Sequence, residues 1–378
     1  MIAPSDEIQL ADAVAQATGA LRIVGGDTRK PGRPVQGTTL TTRAMSGVTL
    51  YEPGALTMVA RAGTPVDEIA ALLAAEGQML PFEPMDHRGL SGTSGTPTIG
   101  GMVAANVSGP RRIQSGACRD FLLGVRFVDG RGDALSNGGR VMKNVTGYDL
   151  ARLLAGSHGT LGVLSEVSFK LLPAPEMQAM LLADIDDEPR AIAALGAALG
   201  SAFEVTAAAR AATAPGGRAA VALRLEGFAD SVRYRAGRLQ EVLAPFGDWQ
   251  LVDDQPAVAG HWRAVRDVAA FHGQTGDVWR FSVRPGDGAK LARRIRGVSA
   301  AADIAHDWGG GLVWARVPEG TDLFGCVQGG HARLVRADAA TRDRLGCFQP
   351  EAPAVAALSD ALRRQFDPRG ILNPGLMS

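Results

Sequence analysis

Three glycine-rich segments crowded into the first 167 residues constrain this chain more than any other feature. They read VGGDTRKPG (24–32), PTIGGMVAANVSGPRR (97–112) and KNVTGYDLARLLAGSHGTLGVLSEV (143–167). Each adjoins a stretch with strand character. Glycine admits positive φ and lets another group lie directly on the main chain, because no Cβ stands in the way. In the first segment consecutive amides can turn inward as an anion-binding nest, with Thr28 adding a hydroxyl and Arg29 or Lys30 a charge. It matches neither GxGxxG nor GxxxxGK[ST], which excludes the two common phosphate loops. In the second, Gly100 and Gly101 allow close approach of a flat or extended ligand, and Asn106 and Ser108 offer donors and acceptors to a polar edge. In the third, Gly156, Gly159 and Gly162 punctuate a helix-to-strand turn that holds His158. Tight packing would explain any one of these clusters. Three together point to one extended ligand wrapped by backbone, with a pyrophosphate at one end.

Composition removes alternatives. With 378 residues the chain has room for about two or three domains. Its 39 Lys+Arg balance 39 Asp+Glu, so no net charge draws it to nucleic acid or an anionic membrane. Its 48 glycines accompany an ordinary apolar fraction of 46%, which argues for loops around a ligand rather than disorder. Cys118, Cys326 and Cys347 lie far apart and form no CxxC, so neither a disulfide framework nor a zinc or iron–sulfur site is expected. The start, MIAPSDEIQL, lacks the apolar core of a secretory signal, and no apolar run is long enough to span a bilayer. The expectation is a cytoplasmic protein.

The pattern along the chain gives a coarse outline. Residues 5–18 read as a helix capped by Ser5, with Ile8, Ala11 and Ala15 on its inner face. Residues 56–84 read as strand, turn and helix, with Thr64 as cap, Pro65 at the first position and Gly77 as stop. DFLLGVRFVDGRGDAL (120–135) reads as a strand running into a hairpin turn. Pro173 and Pro175 mark a boundary. Beyond them residues 187–216 are Ala-rich and helix-prone, with a turn at PGG (215–217). Strands over 219–228 and 277–285 and helices over 229–244, 288–298 and 353–366 complete an α+β second half.

The order GGDTRKPGR, PTIGGMVAANVSGPRR, RDFLLGVRFVDGRG, GGRVMKNVTGYDLARLLAGSHGTLGV and a terminal FDPRGILNPG resembles the flavin-linked oxidases of the vanillyl-alcohol oxidase type. The runs GGRVMKNVTGYD and QGGHARL (328–334) narrow the resemblance to the FAD-binding subunits of bacterial glycolate oxidases. It covers residues 20–175 and the tail most clearly.

That resemblance implies an α+β protein: a two-subdomain PCMH-type FAD-binding fold with an α+β cap domain. The FAD-binding domain would take 1–175, the cap or substrate domain 176–340, and a segment returning to the FAD domain 341–378. Gly25, Gly26, Asp27, Thr28 and Arg29 would cradle the pyrophosphate. Pro97, Thr98, Gly100, Gly101, Asn106, Ser108 and Gly109 would run along the pyrophosphate and isoalloxazine, and Gly162 and Val163 would meet the nucleotide half through backbone groups. Such a fold holds its dinucleotide with loops between subdomains, not with one helix N-terminus.

Two departures matter. Asp27 stands where such loops carry glycine. A carboxylate facing a pyrophosphate is repelled by roughly a few kcal/mol, so Asp27 is expected to turn away and cap nearby amides. No histidine is present there for a covalent bond, so non-covalent FAD is expected. Where relatives place a histidine cluster that often holds a metal, this sequence has HDWGGGLVWA (306–315), and no metal site is expected. His306 and His331 are the catalytic candidates. Oxidation of a small 2-hydroxy acid also needs a cation for the carboxylate, for which Arg280, Arg284 and Arg316 are candidates.

The resemblance therefore implies a subunit of a glycolate oxidase complex. It would pass electrons to a second FAD-containing subunit and an iron–sulfur subunit, and would be peripheral at the inner membrane only through those partners. A self-sufficient D-lactate-like dehydrogenase and a largely structural flavin-fold subunit are the alternatives.

Overall fold

The computed structural model describes residues 1–140, 147–213 and 219–377. The middle of GGRVMKNVTGYD (141–146) and the PGG turn (215–217) lie outside them. Two large antiparallel sheets organise the chain. The first has five strands, in the order Val48–Glu52, Thr57–Arg61, Val163–Lys170, Leu122–Val128 and Ala134–Gly138. Its central strand, VLSEVSFK, is buried along most of its length, as a strand covered on both faces must be. The DGRGD turn closes the hairpin as expected, with Gly132 at φ +95 and the Asp129 amide donating to the Asp133 carbonyl.

Beside this sheet the strand Leu21–Val24 runs parallel to Thr38–Thr41. Its other side is taken by the tail: the Leu21 amide donates to the Ile371 carbonyl at 2.7 Å, and the Asn373 amide to the Leu21 carbonyl at 3.0 Å. The C-terminal FDPRGILNPG thus completes the edge from which the first glycine loop springs.

The second sheet has eight strands, in the order Gln250–Val252, Met177–Asp184, Ala220–Gly227, Ala207–Thr213, Asp303–Asp307, Leu312–Val317, Asp277–Ser282 and His331–Arg336. Pro173 and Pro175 fall between the last strand of the first sheet and the first strand of this one. Helices Glu188–Leu199, Ala229–Leu243 and Gly288–Val298 cover one face. The opposite face is covered by helix Gln255–Arg266, through Val258 and Trp262, and by the first half of the chain. Period-two alternation decides which side chain goes where. In Leu312–Val317, Val313, Ala315 and Val317 join the core under the helices, whereas Leu312 and Trp314 join the core built on Phe82, Phe127 and Phe169.

Three local expectations are corrected. Asp6, not Ser5, caps the first helix, its carboxylate accepting from the Gln9 amide at 2.8 Å. The buried face of that helix is Leu10 and Val14, and Ile8 is 76% exposed, because the strand it packs on meets a different stripe. Thr64 does not cap its helix. Its hydroxyl bridges the Gly47 amide and the Arg61 carbonyl, while Gly77 at φ +62 does end the helix. Finally, AAARAAT (207–213) is a strand, not part of a helical stretch. It runs between two others, with Ala207 and Ala209 facing helix Gln255–Arg266 and Ala208 facing the opposite helices. Small side chains suit a strand covered on both faces, and pairing across the sheet overrides alanine's helix propensity.

Candidate functional site

The loop after Leu21–Val24 has four consecutive amides, those of Gly25, Gly26, Asp27 and Thr28, that find no acceptor among the described residues. They line a cavity of about 530 Å³ between the small parallel pair, the five-stranded sheet and the tail. Gly26 and Thr28 are buried, Gly25 is half-buried and Asp27 exposed, so at least two of these donors are held away from bulk water without protein partners. Unpaired buried amides are costly, and a row of them is an anion nest. Asp27 sits at φ +54, and its carboxylate is turned onto the Arg22 guanidinium at 2.7 Å in a half-exposed pair. The expected turning away is seen, but toward an arginine rather than toward amides.

Chain-on-chain contact sets these glycines. A Cβ on Gly26 would lie 1.5 Å from the Thr96 carbonyl oxygen, and one on Gly25 2.3 Å from the Thr98 hydroxyl. The loop is thus seated directly against the segment that opens helix Ile99–Ala104, which Thr98 caps. Late arginines hold the rest of the loop. Arg333 donates to the Pro31 carbonyl at 2.9 Å, and Arg342 to the Lys30 carbonyl at 2.9 Å.

The second segment departs from its expectation in detail. Gly100 lines the large cavity, and it is also pinned by the chain: a Cβ would sit 2.6 Å from the Ala62 Cβ, and its amide donates to the Ala62 carbonyl. Gly101 also faces the cavity, as do Gly162 and Val163. Pro97 lines neither cavity; its carbonyl accepts from the Val66 amide and so fixes where Thr98 stands. The Asn106 and Ser108 oxygens accept from the Arg119 and Cys118 amides, and the Gly109 carbonyl accepts from the Trp308 indole at 3.0 Å. These three residues line a second, smaller cavity. One buried side chain closes the turn beside the first cavity. Asn373 accepts from the Ile23 amide and donates to the His158 carbonyl at 2.9 Å, joining the tail, the first strand and the third loop.

The second cavity, about 80 Å³, lies on the inner face of the eight-stranded sheet and shares Arg29, Lys30, Pro31 and Ala105 with the first. Register places Ala305, Trp314, Arg280 and Arg333 in one row across four strands. Arg280 lies over the Trp308 and Trp314 rings. Burial, with Arg333 and Arg112 nearby, pulls its guanidinium down to about 9. Burial likewise brings Arg29 and Arg333 to about 10. Arg29 donates to His87 Nδ1 at 3.1 Å and to the Gly101 carbonyl at 3.0 Å. Burial and these arginines hold His87 and His158 well below the usual histidine range, so both are neutral at pH 7. Asp307, also on this wall, is pushed up to about 7 by burial.

The two histidines chosen from the sequence lie elsewhere. His306 alternates with Asp307 and so points to the opposite face, where its Nε2 meets Glu188 at 3.0 Å among Arg210 and Arg296. His331 is exposed at the start of the edge strand. Neither lines either cavity. Of the three candidate cations, Arg280 reaches the second cavity. Arg284 is exposed, and Arg316 pairs with Asp303 across the sheet. Among the described residues no group of three or more His, Cys, Asp or Glu is placed to hold a metal. Sequence reasoning missed His87, Asp307, Arg333, Arg342 and Asn373. The Asn-Pro of the tail was visible, but nothing local tied it to a strand 350 residues earlier.

Residues 1–137 match the family model described as FAD binding domain. The glycolate oxidase subunit GlcE of Escherichia coli K12 is 36% identical over 362 residues, covering 92% of this chain and 89% of that protein. The glycolate oxidase subunit GlcD of Bacillus subtilis 168 is 45% identical over 86 residues, 23% of this chain and 18% of that one. Among solved structures, p-cresol methylhydroxylase with substrate bound superposes with a TM-score of 0.72 at 14% identity, covering 99% of this chain and 88% of that one. The fold is a PCMH-type FAD-binding fold with an α+β cap, and the cofactor is FAD.

Proposed function

We propose that this chain, which belongs to the family of the glycolate oxidase subunit GlcE and binds FAD, is the flavin-carrying subunit of a multi-subunit 2-hydroxy-acid oxidoreductase acting on glycolate. The observation that carries the reading is the row of free amides at Gly25–Thr28 on the wall of the large cavity. They fit a pyrophosphate: four donors, the lining carboxylates Asp27 and Asp338 taken up by the Arg22 guanidinium and the Thr341 amide, and glycines that no side chain can replace without moving Thr96 or Thr98. Thr98, Gly101, Gly162 and Val163 form the remaining wall along the dinucleotide, with Asn106, Ser108 and Gly109 toward its ring end.

When bound, FAD supplies the two-electron acceptor for the hydrogen on the acid's α-carbon. The chain's own part is to bind, orient and exclude water. The neutral His87 and His158 are both held against arginines, Arg29 and Arg333. That supports FAD held without a covalent bond. Residues 1–175 would be the FAD-binding domain, 176–340 the cap and 341–378 the returning segment, in keeping with the two sheets and the tail's pairing to Leu21.

Electrons would leave to a second FAD-containing, GlcD-like subunit and an iron–sulfur subunit in the cytoplasm, at the inner membrane only through those partners. Among the described residues no helix is long and apolar enough to cross a membrane. The test is anaerobic. The purified chain is mixed with glycolate alone and then with a GlcD-like subunit, while flavin absorbance is followed. Bleaching only in the presence of the partner is expected. Bleaching by the chain alone would favour a self-sufficient dehydrogenase, and a chain without flavin would overturn the reading.

A further inference from the structure

The second cavity holds a charge imbalance that the cofactor loops do not use. Arg280 has no hydrogen-bond or ion-pair partner among the described residues; its contacts are the faces of Trp308 at 5.3 Å and Trp314 at 6.0 Å. Of the other arginines near it, Arg112 lies on the Trp308 ring at 4.7 Å and does not line the cavity, and the rest are engaged. Arg29 serves His87 and Gly101, Arg333 serves Pro31, Arg266 pairs with Asp267, and Arg224 pairs with Glu83. A guanidinium has five N–H donors in a planar fork, and indole faces satisfy none of them. The cavity is small, it adjoins the FAD cavity, and its free fork matches one carboxylate.

Asp307 lies two register rows along, on the same sheet face. Its carboxylate accepts from the Trp308 amide at 2.7 Å. The charged groups that act on it are Glu83, which repels it, and Arg224 and Arg280, which attract it. With its carboxyl near 7 it is poised between two states. An anion arriving on Arg280 cancels one attraction and adds a repulsion, which drives Asp307 to its neutral acid form. As an acid it offers an O–H donor where the ionised group would repel the ligand.

We propose that this second cavity is a carboxylate subsite: Arg280 holds the carboxylate of a small 2-hydroxy or 2-oxo acid, and Asp307 takes up a proton as that anion binds. The inference deepens the flavin-subunit reading and rests on it for the class of acid. It makes this chain a binder of substrate-like acids in its own right.

The test is calorimetric titration of the flavin-loaded chain with oxamate, an inert small acid, in buffers of different ionisation enthalpy between about pH 6 and pH 8, below the range in which Arg280, near 9, titrates in its own right. One-site binding is expected, with proton uptake that grows above about pH 7 and an affinity that falls by up to about tenfold per pH unit there. Arg280→Gln should weaken oxamate at least about tenfold with flavin retained, and Arg280→Lys should restore part of the loss. Asp307→Asn should bind oxamate with no proton uptake and a flat pH profile. If Arg280→Gln does not fold, Arg280→Lys and Asp307→Asn, which keep charge or shape, carry the test. Flavin-loaded wild type that ignores oxamate, an Arg280→Gln variant that binds it equally well, or an Asp307→Asn variant that still takes up a proton would each overturn the subsite. Wild type that binds oxamate but holds no flavin overturns the flavin-subunit reading and leaves the subsite standing.

Discussion

Arg224→Met should be among the most damaging single changes to the joint between the two sheets. Arg224, in the strand Ala220–Gly227, makes a two-pronged pair with Glu83 at 2.6 and 2.9 Å. The neighbouring Glu226 makes the same kind of pair with Arg111, at 2.5 and 2.7 Å. The Arg111 amide donates to Glu83 at 2.7 Å and closes a box of two arginines and two glutamates. Arg224, Glu226 and Arg111 are nearly free of solvent, and the Glu83 side chain is 18% exposed. Burial alone would raise Glu83, but Arg224 and Arg111 outweigh it and hold the carboxyl at about 2, against an ordinary 4.5.

That difference corresponds to about 3 kcal/mol of native-state stabilisation at neutral pH. It matches the roughly 3–5 kcal/mol lost when one member of a buried pair is removed and the other left charged. The sign follows from a depressed folded-state value: the contribution is full above about pH 4.5 and is lost as pH falls through about 2. Urea unfolding at pH 7 should therefore show a midpoint lowered by about 1–2 M in Arg224→Met, on the usual denaturant slopes. The gap to wild type should narrow as pH falls below about 4.5. Glu83→Gln in the Arg224→Met background should recover much of the loss, because no unpaired buried charge then remains at Glu83. A loss under about 1 kcal/mol at pH 7, or one equally large at pH 2.5, would refute the reasoning.

Other consequences are simpler. Asn373→Ala should lower stability by about 2–3 kcal/mol, because it strands the Ile23 amide and the His158 carbonyl, and thermal melting would show it. Glu188→Gln should destabilise by about 2–4 kcal/mol through loss of its Arg296 and His306 partners. It should leave flavin absorbance unchanged, since that cluster faces away from both cavities. Asp27→Ala should cost little stability, because its pair with Arg22 is half-exposed, and FAD affinity should not fall.

The place of the site was legible in the sequence, but part of the reason was not. Gly26, Gly100 and Gly162 do mark the cavity wall. Each is nevertheless required by a neighbouring piece of chain: the Thr96 carbonyl, the Ala62 Cβ and the Phe127 ring. The dipeptide His306-Asp307 shows where sequence reading reverses. Alternation places one of the two on the cavity side, and residue type favours the histidine, but register places the aspartate there. Arg280 reads as a surface residue because it alternates with the buried Trp279 and Phe281. Its face is the inner one only because the first half of the chain covers it. Arg333 and Arg342 act on a loop some 300 residues away, and no local pattern carries that information.

The central claim is that the Gly25–Thr28 amides hold the cofactor through its pyrophosphate. The direct measurement is FAD binding to apoprotein by flavin-fluorescence quenching, for wild type and Gly26→Ala, followed by acid precipitation of the loaded protein. Wild type should bind one FAD per chain and release it into the acid supernatant. Gly26→Ala, whose Cβ must displace the Thr96 carbonyl, should lose affinity by at least about tenfold while keeping its far-ultraviolet circular dichroism. Equal affinity in the folded variant, or flavin that stays with the acid-precipitated protein, would contradict the account.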